Sequence, residues 1–200
     1  GATVEVNNNL TATDISSNNA NSGTLKLNNP APINIASTIG ANNSFNTIEV
    51  ANSDAKISGG LNAQNINFSN ANNPTTLTLN AASNVTNVTT AGNKTHTIAV
   101  TDFTANGAIG TDTNKLKSIE LLGNGLVNIN TDKFYSGVTT ANNGQGNVKL
   151  NIDGASSYDL GSSGKSLASV QFSGNNTVKG DLYAGNVNID AGKTVTFDRG

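Results

Sequence analysis

Short apolar–polar–apolar triplets recur along the whole chain, and the residues between them are Asn, Gly, Ser and Asp. Thr47-Ile48-Glu49-Val50, Asn65-Ile66-Asn67-Phe68, Ser118-Ile119-Glu120-Leu121, Ser169-Val170-Gln171-Phe172 and Asn186-Val187-Asn188-Ile189 are the clearest examples. A period of two puts one face of a strand in a core and the other in water. The intervening residues tolerate tight turns. Asn alone accounts for 36 of the 200 residues. A chain written this way folds as many short strands joined by corners, and it has little material for long helices.

Composition limits how thick the core can be. Apolar residues make up 35% of the chain and aromatic residues 4%, so a core one or two side chains wide is expected rather than a broad globular one. The charged fraction is 12%, about half of ordinary usage, which argues against charge-rich disorder. The regular triplets argue against a polar low-complexity tract, because such tracts do not keep apolar residues in register. The net charge is −2 and the basic residues stand singly along the sequence, so no phosphate-neutralising patch, and hence no nucleic-acid partner, is expected. No apolar run is long enough to span a bilayer as a helix. The opening residues 1–6 are already strand-like and the last residues follow a strand, which reads as a piece cut from a longer chain or one whose leader has been removed. Cys is absent, which excludes disulfides and thiol chemistry.

Strands are expected at 3–6, 10–15, 24–27, 33–35, 46–50, 55–57, 65–68, 75–79 and 84–89. Further strands are expected at 96–101, 117–121, 126–129, 147–151, 168–172, 177–179, 181–184, 186–189 and 194–197. The one helical spacing, Leu116, Ile119 and Leu122, is followed at once by Gly123-Asn124-Gly125 and the alternating Leu126-Val127-Asn128-Ile129. That pattern reads as strand, tight turn, strand. Asn-Gly at 106–107 and 143–144 marks further turns, and Pro30, Pro32 and Pro74 are expected in loops.

Residues 57–68 match residues 178–189 without a gap: Ile57, Leu61, Ile66 and Phe68 correspond to Val178, Leu182, Val187 and Ile189. Degenerate copies at unequal separations fit a solenoid whose turns vary in length. The fold expected is all-β, a right-handed parallel β-helix with roughly 20–27 residues and about three strands per coil. Eight or so coils at about 4.8 Å each make a rod about 40 Å long. It is a single body over 1–200, with loop excursions near 104–114 and 139–147. A β-sandwich of hairpins is the alternative. Asn is expected to serve at corners in left-handed conformations and to stack between coils as amide ladders.

No residue is assigned a catalytic, cofactor-binding or metal-ligating role, and no cofactor is expected. Gly161-Ser162-Ser163-Gly164-Lys165-Ser166 imitates a phosphate loop but has Asp159 where the first Gly belongs, and no helix follows. His96 is the sole His. It alternates with Ile98 and Val100 and reads as a strand residue, since one His cannot build a multi-His metal site. A polysaccharide-acting enzyme would need paired carboxylates. Asp153 with Asp159 and Asp181 with Asp190 are the candidates, each with an ordinary turn explanation, and the one Arg, Arg199, is at the extreme end.

Residues 169–180 and 185–197, with their Ser-Val-Gln-Phe and Asn-Val-Asn-Ile strands and Asn/Thr/Gly-rich joins, resemble the passenger repeats of the rickettsial surface cell antigens. These are autotransporters that include outer membrane proteins A and B. The resemblance is clearest over 116–200 and fainter over 44–101, and filamentous haemagglutinin-like exoproteins share the style. It implies a β-helical passenger segment on the bacterial cell surface, with the full-length protein anchored by a C-terminal barrel. It also implies a non-catalytic adhesin that meets a host cell-surface protein or glycan and aids entry. A surface-layer stalk and a polysaccharide-acting enzyme are the alternatives.

Overall fold

The computed structural model describes residues 1–198; Arg199 lies outside the described residues. Among them every named strand pairing is parallel and no helix occurs, so the hairpin sandwich is excluded and the chain is a parallel β-helix. One sheet has ten strands: β1 (Thr3–Val6), β3 (Ser22–Leu27), β5 (Phe45–Val50), β7 (Asn62–Phe68), β9 (Ser83–Thr90), β11 (Phe103–Ala105), β13 (Leu126–Ile129), β15 (Asn147–Leu150), β17 (Leu167–Phe172) and β19 (Ala184–Ile189). A second has seven: β2 (Leu10–Ile15), β4 (Ile33–Ile39), β6 (Ala55–Ile57), β8 (Thr76–Leu79), β10 (Thr97–Val100), β12 (Ser118–Leu121) and β14 (Gly137–Thr140). The third comprises β16 (Gly154–Ser156), β18 (Asn176–Val178) and β20 (Val195–Phe197).

Each interior strand pairs with the strand one coil before and one coil after it. Thr3 aligns with Thr24, Thr24 with Thr47, Thr47 with Asn65 and Asn65 with Asn87. Coils therefore differ in length: 21, 23, 18 and 22 residues in that run, and 17 between Val170 and Val187. Turns are shorter than expected, so the chain completes ten rungs rather than eight, and the rod is about 43 Å long at about 4.8 Å per rung.

The apolar half of each triplet faces inward. Ile48, Ile66, Phe68, Val88, Ile119 and Val170 are fully buried, and one continuous core runs from Val6 to Val178. Burying each such side chain contributes about 1.5–3 kcal/mol. The end rungs have a neighbour on one side only, and there Val4, Val187, Ile189 and Phe197 are 42–55% exposed.

Several expectations change. β12 and β13 do not form a hairpin, because β12 pairs with β10 and β14 while β13 pairs with β11 and β15. The turn at Gly123-Asn124-Gly125 is a corner between two sheets. The stretch 104–114 is largely within the stack: β11 ends at Ala105, and Ile109 bridges Val88 and Phe134. Only the turn at 111–114, closed by the Thr111 N–H to the Asn114 carbonyl (2.9 Å), stands out. Likewise 139–147 is a short corner between β14 and β15. Residues 181–184 form no strand of their own; Leu182 makes a single bridge to Leu160, and β19 begins at Ala184. β11, β14 and β16 escape sequence reading: β11 is only three residues long, and in β14 and β16 the polar Thr140 and Ser156 take buried positions.

Asn also serves differently from expectation. Asn21 is the only described Asn in a left-handed conformation (φ 56°), and Gly takes nine of the other positions. The amide ladders do form. Asn151 Nδ2 donates to Asn130 Oδ1 (2.7 Å) and Asn130 Nδ2 to Asn106 Oδ1 (2.9 Å). Asn52 donates to Asn28 (2.6 Å) and Asn87 to Asn65 (3.1 Å) in the same way. Elsewhere an Asn or Asp oxygen accepts a backbone N–H from the next coil: Asn9 from Asn34, Asn93 from Lys115, Asn143 from Ser166 and Asn175 from Thr194. Corner backbone groups that no sheet partner reaches are satisfied this way.

Candidate functional site

The residues singled out in the sequence are mostly structural. Gly161–Ser166 is a surface turn closed by two hydrogen bonds, Ser162 N–H to the Lys165 carbonyl (3.1 Å) and Lys165 N–H to the Ser162 carbonyl (3.0 Å). His96 is fully buried, with its ring stacked on Phe68 at 4.8 Å between centroids. Its Nδ1 lies 2.7 Å from the Thr75 hydroxyl and accepts the Thr75 backbone N–H (3.3 Å), while Nε2 has no partner. Burial holds the imidazole below its ordinary value of 6.5, against a smaller upward pull from the Asn70 backbone. It is a neutral core residue at pH 7.

The carboxylates cap corners. Asp153 Oδ1 accepts the Asn175 N–H (2.6 Å) and Asp159 Oδ1 the Asp181 N–H (2.8 Å). Asp190 accepts from the Gln171 amide (2.8 Å), which holds its carboxyl below the usual range. Asp159 and Asp181 are thus neighbours on successive coils. Asp153 borders a different groove from Asp159. Among the described residues no three His, Cys, Asp or Glu side chains gather as a metal site, and no helix is long and apolar enough to cross a membrane.

Two grooves indent the rod's sides. The larger, about 580 Å³, runs along the amide ladder at Asn106 and Asn130 and is lined by backbone and neutral side chains with Asp132, Lys133 and Asp153. The second, about 360 Å³, is bordered by Lys94, Lys115, Lys117, Asp132, Tyr135 and Tyr158. The coil repeat assembles it. Lys94 and Lys115 lie 21 residues apart on stacked turns, joined by the Lys94 N–H to the Lys115 carbonyl (2.6 Å), and the Leu116 N–H to the Tyr135 carbonyl (3.0 Å) adds the next turn. The Tyr158 ring packs edge-on against buried Phe134 at 4.7 Å. Its hydroxyl is enclosed without a partner, and burial pushes its pKa up.

The groove's electrostatics are mixed. Lys115 pairs with Asp112 at 3.8 Å, whereas Lys94 and Lys117 make no ion pair among the described residues. Asp132 and Asp159 place carboxylates on the same rim. The lysines that stand singly in sequence are therefore brought together, which sequence reading missed. A 21-residue spacing of like residues was the available signal, and it has meaning only once the coil length is known. Because carboxylates interleave with the lysines, the patch is not the continuous basic stripe that phosphate-backbone binding uses. No family model, curated protein or solved structure matches the chain.

Proposed function

We propose that this chain is a non-catalytic binding rod, a segment of a bacterial surface adhesin of the autotransporter-passenger kind, exported to the cell surface and contacting a host cell-surface protein or glycan. The observation that carries the reading is the division of side chains. Most of the apolar side chains are used in one continuous core from Val6 to Val178, and the lateral surface left over is largely polar and indented by grooves. Such a surface displays many weak contacts along an axis rather than enclosing a reacting atom. The carboxylates whose pKa moves clearly, Glu5, Asp14 and Asp190, all move down, opposite to the direction a general acid needs. The resemblance of 169–197 to rickettsial passenger repeats supplies the host-facing part of the proposal.

Beads coated with the 200-residue chain are expected to adhere to cultured host cells in a saturable manner and to be displaced by soluble chain. Absence of adhesion, with the β-sheet circular dichroism signal intact, would favour a stalk that only spaces other segments from the membrane.

A further inference from the structure

Lys94 is out of place by every local rule that the rest of the chain obeys. It has φ 54°, in the left-handed region. In that conformation a Cβ crowds the following carbonyl oxygen, a strain that Asn and Asp offset by bonding locally. This chain has 36 Asn and 21 Gly, and it uses them at every other described positive-φ position: Asn21 and nine glycines. Strain of this kind is held by the surrounding structure, here by the Lys94 N–H to the Lys115 carbonyl, and clusters at functional sites; Lys94 borders the groove already described.

We propose that this groove binds an acidic oligosaccharide, a linear chain of carboxylate-bearing sugars lying along the rod. Lys94 and Lys117, without carboxylate partners of their own, supply charge-assisted donors for a sugar carboxylate. Asp132 supplies acceptors for ring hydroxyls. Half-buried Tyr135 and Tyr158 line the groove and offer aromatic surface to the apolar face of a pyranose. Each alternative ligand class leaves part of this set unmatched. A bare phosphate brings no ring for Tyr135 and Tyr158 and no ring hydroxyls for Asp132, and a neutral sugar leaves two ammonium groups without a counter-charge. This inference rests on reading the rod as a non-catalytic binding surface and names the ligand class.

The test is titration of the 200-residue chain, by calorimetry and amide chemical shifts, with a tetramer of galacturonate, the neutral tetramer of galactose, and inorganic phosphate. Galacturonate is expected to bind saturably, with shifts confined to residues around 94, 117 and 135, and at least tenfold more tightly than the other two. Lys94→Asn is expected to weaken it at least fivefold while leaving the melting temperature unchanged or raised, since Asn suits the backbone. Equal affinity in K94N and the parent, equal binding of phosphate, or shortening of the tetramer would each overturn the proposal. The bead assay separates the two readings. Cell adhesion without galacturonate binding would remove this site and leave the adhesin. Galacturonate binding sensitive to K94N, without cell adhesion, would leave this site and remove the host-cell reading.

Discussion

At the scale of single residues, the corners are where the chain is least tolerant. Gly125 follows Asp102 by one coil, and the Leu126 N–H donates to Asp102 Oδ1 at 2.9 Å. A Cβ on Gly125 would sit 1.7 Å from the Thr101 carbonyl oxygen. The device repeats at Gly174, where a Cβ would lie 1.9 Å from the Ile152 carbonyl oxygen and Asp153 caps the following N–H. In both, Gly permits the close approach of coils and Asp satisfies the donor that the approach exposes. Gly125→Ala and Gly174→Ala are expected to lower unfolding free energy by about 2 kcal/mol or more, as overpacking does. Gly123→Ala, two residues from the first site and with nothing within 4 Å of its Cβ position, should be near neutral. Urea denaturation of the three variants reads the difference.

His96 gives the molecule a pH dependence of known sign. Its folded pKa lies below the unfolded 6.5, so the unfolded chain takes up the proton first. Its contribution is therefore full above pH 6.5 and is lost as pH falls from there through the folded value. The slope in that window is at most about 1.4 kcal/mol per pH unit. The downward-shifted carboxyls Glu5, Asp14 and Asp190 act in a separate, more acidic window, where their contributions disappear as pH drops through their folded values. Replacing the buried imidazole by Phe, which preserves the stack on Phe68, should flatten the urea midpoint between pH 7.5 and 5. A slope unchanged in His96→Phe would show that another group titrates there.

At the scale of elements, the unit of repetition is one face of the coil rather than the coil. Ile66 lies on a line running Leu25, Ile48, Ile66, Val88, Ile109 and Phe134. Val187, its sequence counterpart, lies on another running Ser83, Phe103, Val127, Val148, Val170 and Val187. Ser83 and Val88 are both in β9, so the two lines are five residues apart on one strand. The ungapped match of 57–68 with 178–189 is therefore out of phase: Ile57 is in the seven-stranded sheet and Val178 in the three-stranded one. A strand followed by a polar corner meets much the same demands on each face, so one sequence pattern serves in more than one phase. Position along the rod then decides energetics more than sequence does. Ile66→Ala, at a fully buried site between two rungs, should cost about 2–5 kcal/mol. Val187→Ala, 42% exposed on the last rung of its sheet, should cost well under half of that in the same urea assay.

At the scale of the whole molecule, strand identity was legible and coil arithmetic was not. Alternation in Thr47–Val50, Ser118–Leu121 and Ser169–Phe172 is a local signal, because side-chain direction in a strand depends only on the pleat. The ladder role of Asn followed from composition plus stacking. The strand at Gly137–Thr140, with Thr140 buried in an apolar line, carried no such signal. The number of rungs depends on turn lengths, and those turns close through bonds between residues about 22 apart, such as Asn93 with Lys115 or Asp159 with Asp181. The groove at Lys94 illustrates the same limit. No window of sequence contains Lys94, Lys117 and Tyr158 together. The chain by itself determined that it would be β throughout, thin-cored and cornered by Asn, Gly and Asp, because period, turn chemistry and apolar content act within a few residues. Only the tertiary structure decided which face each strand occupies and which lysines meet, because inter-coil register is set by packing across turns of unequal length.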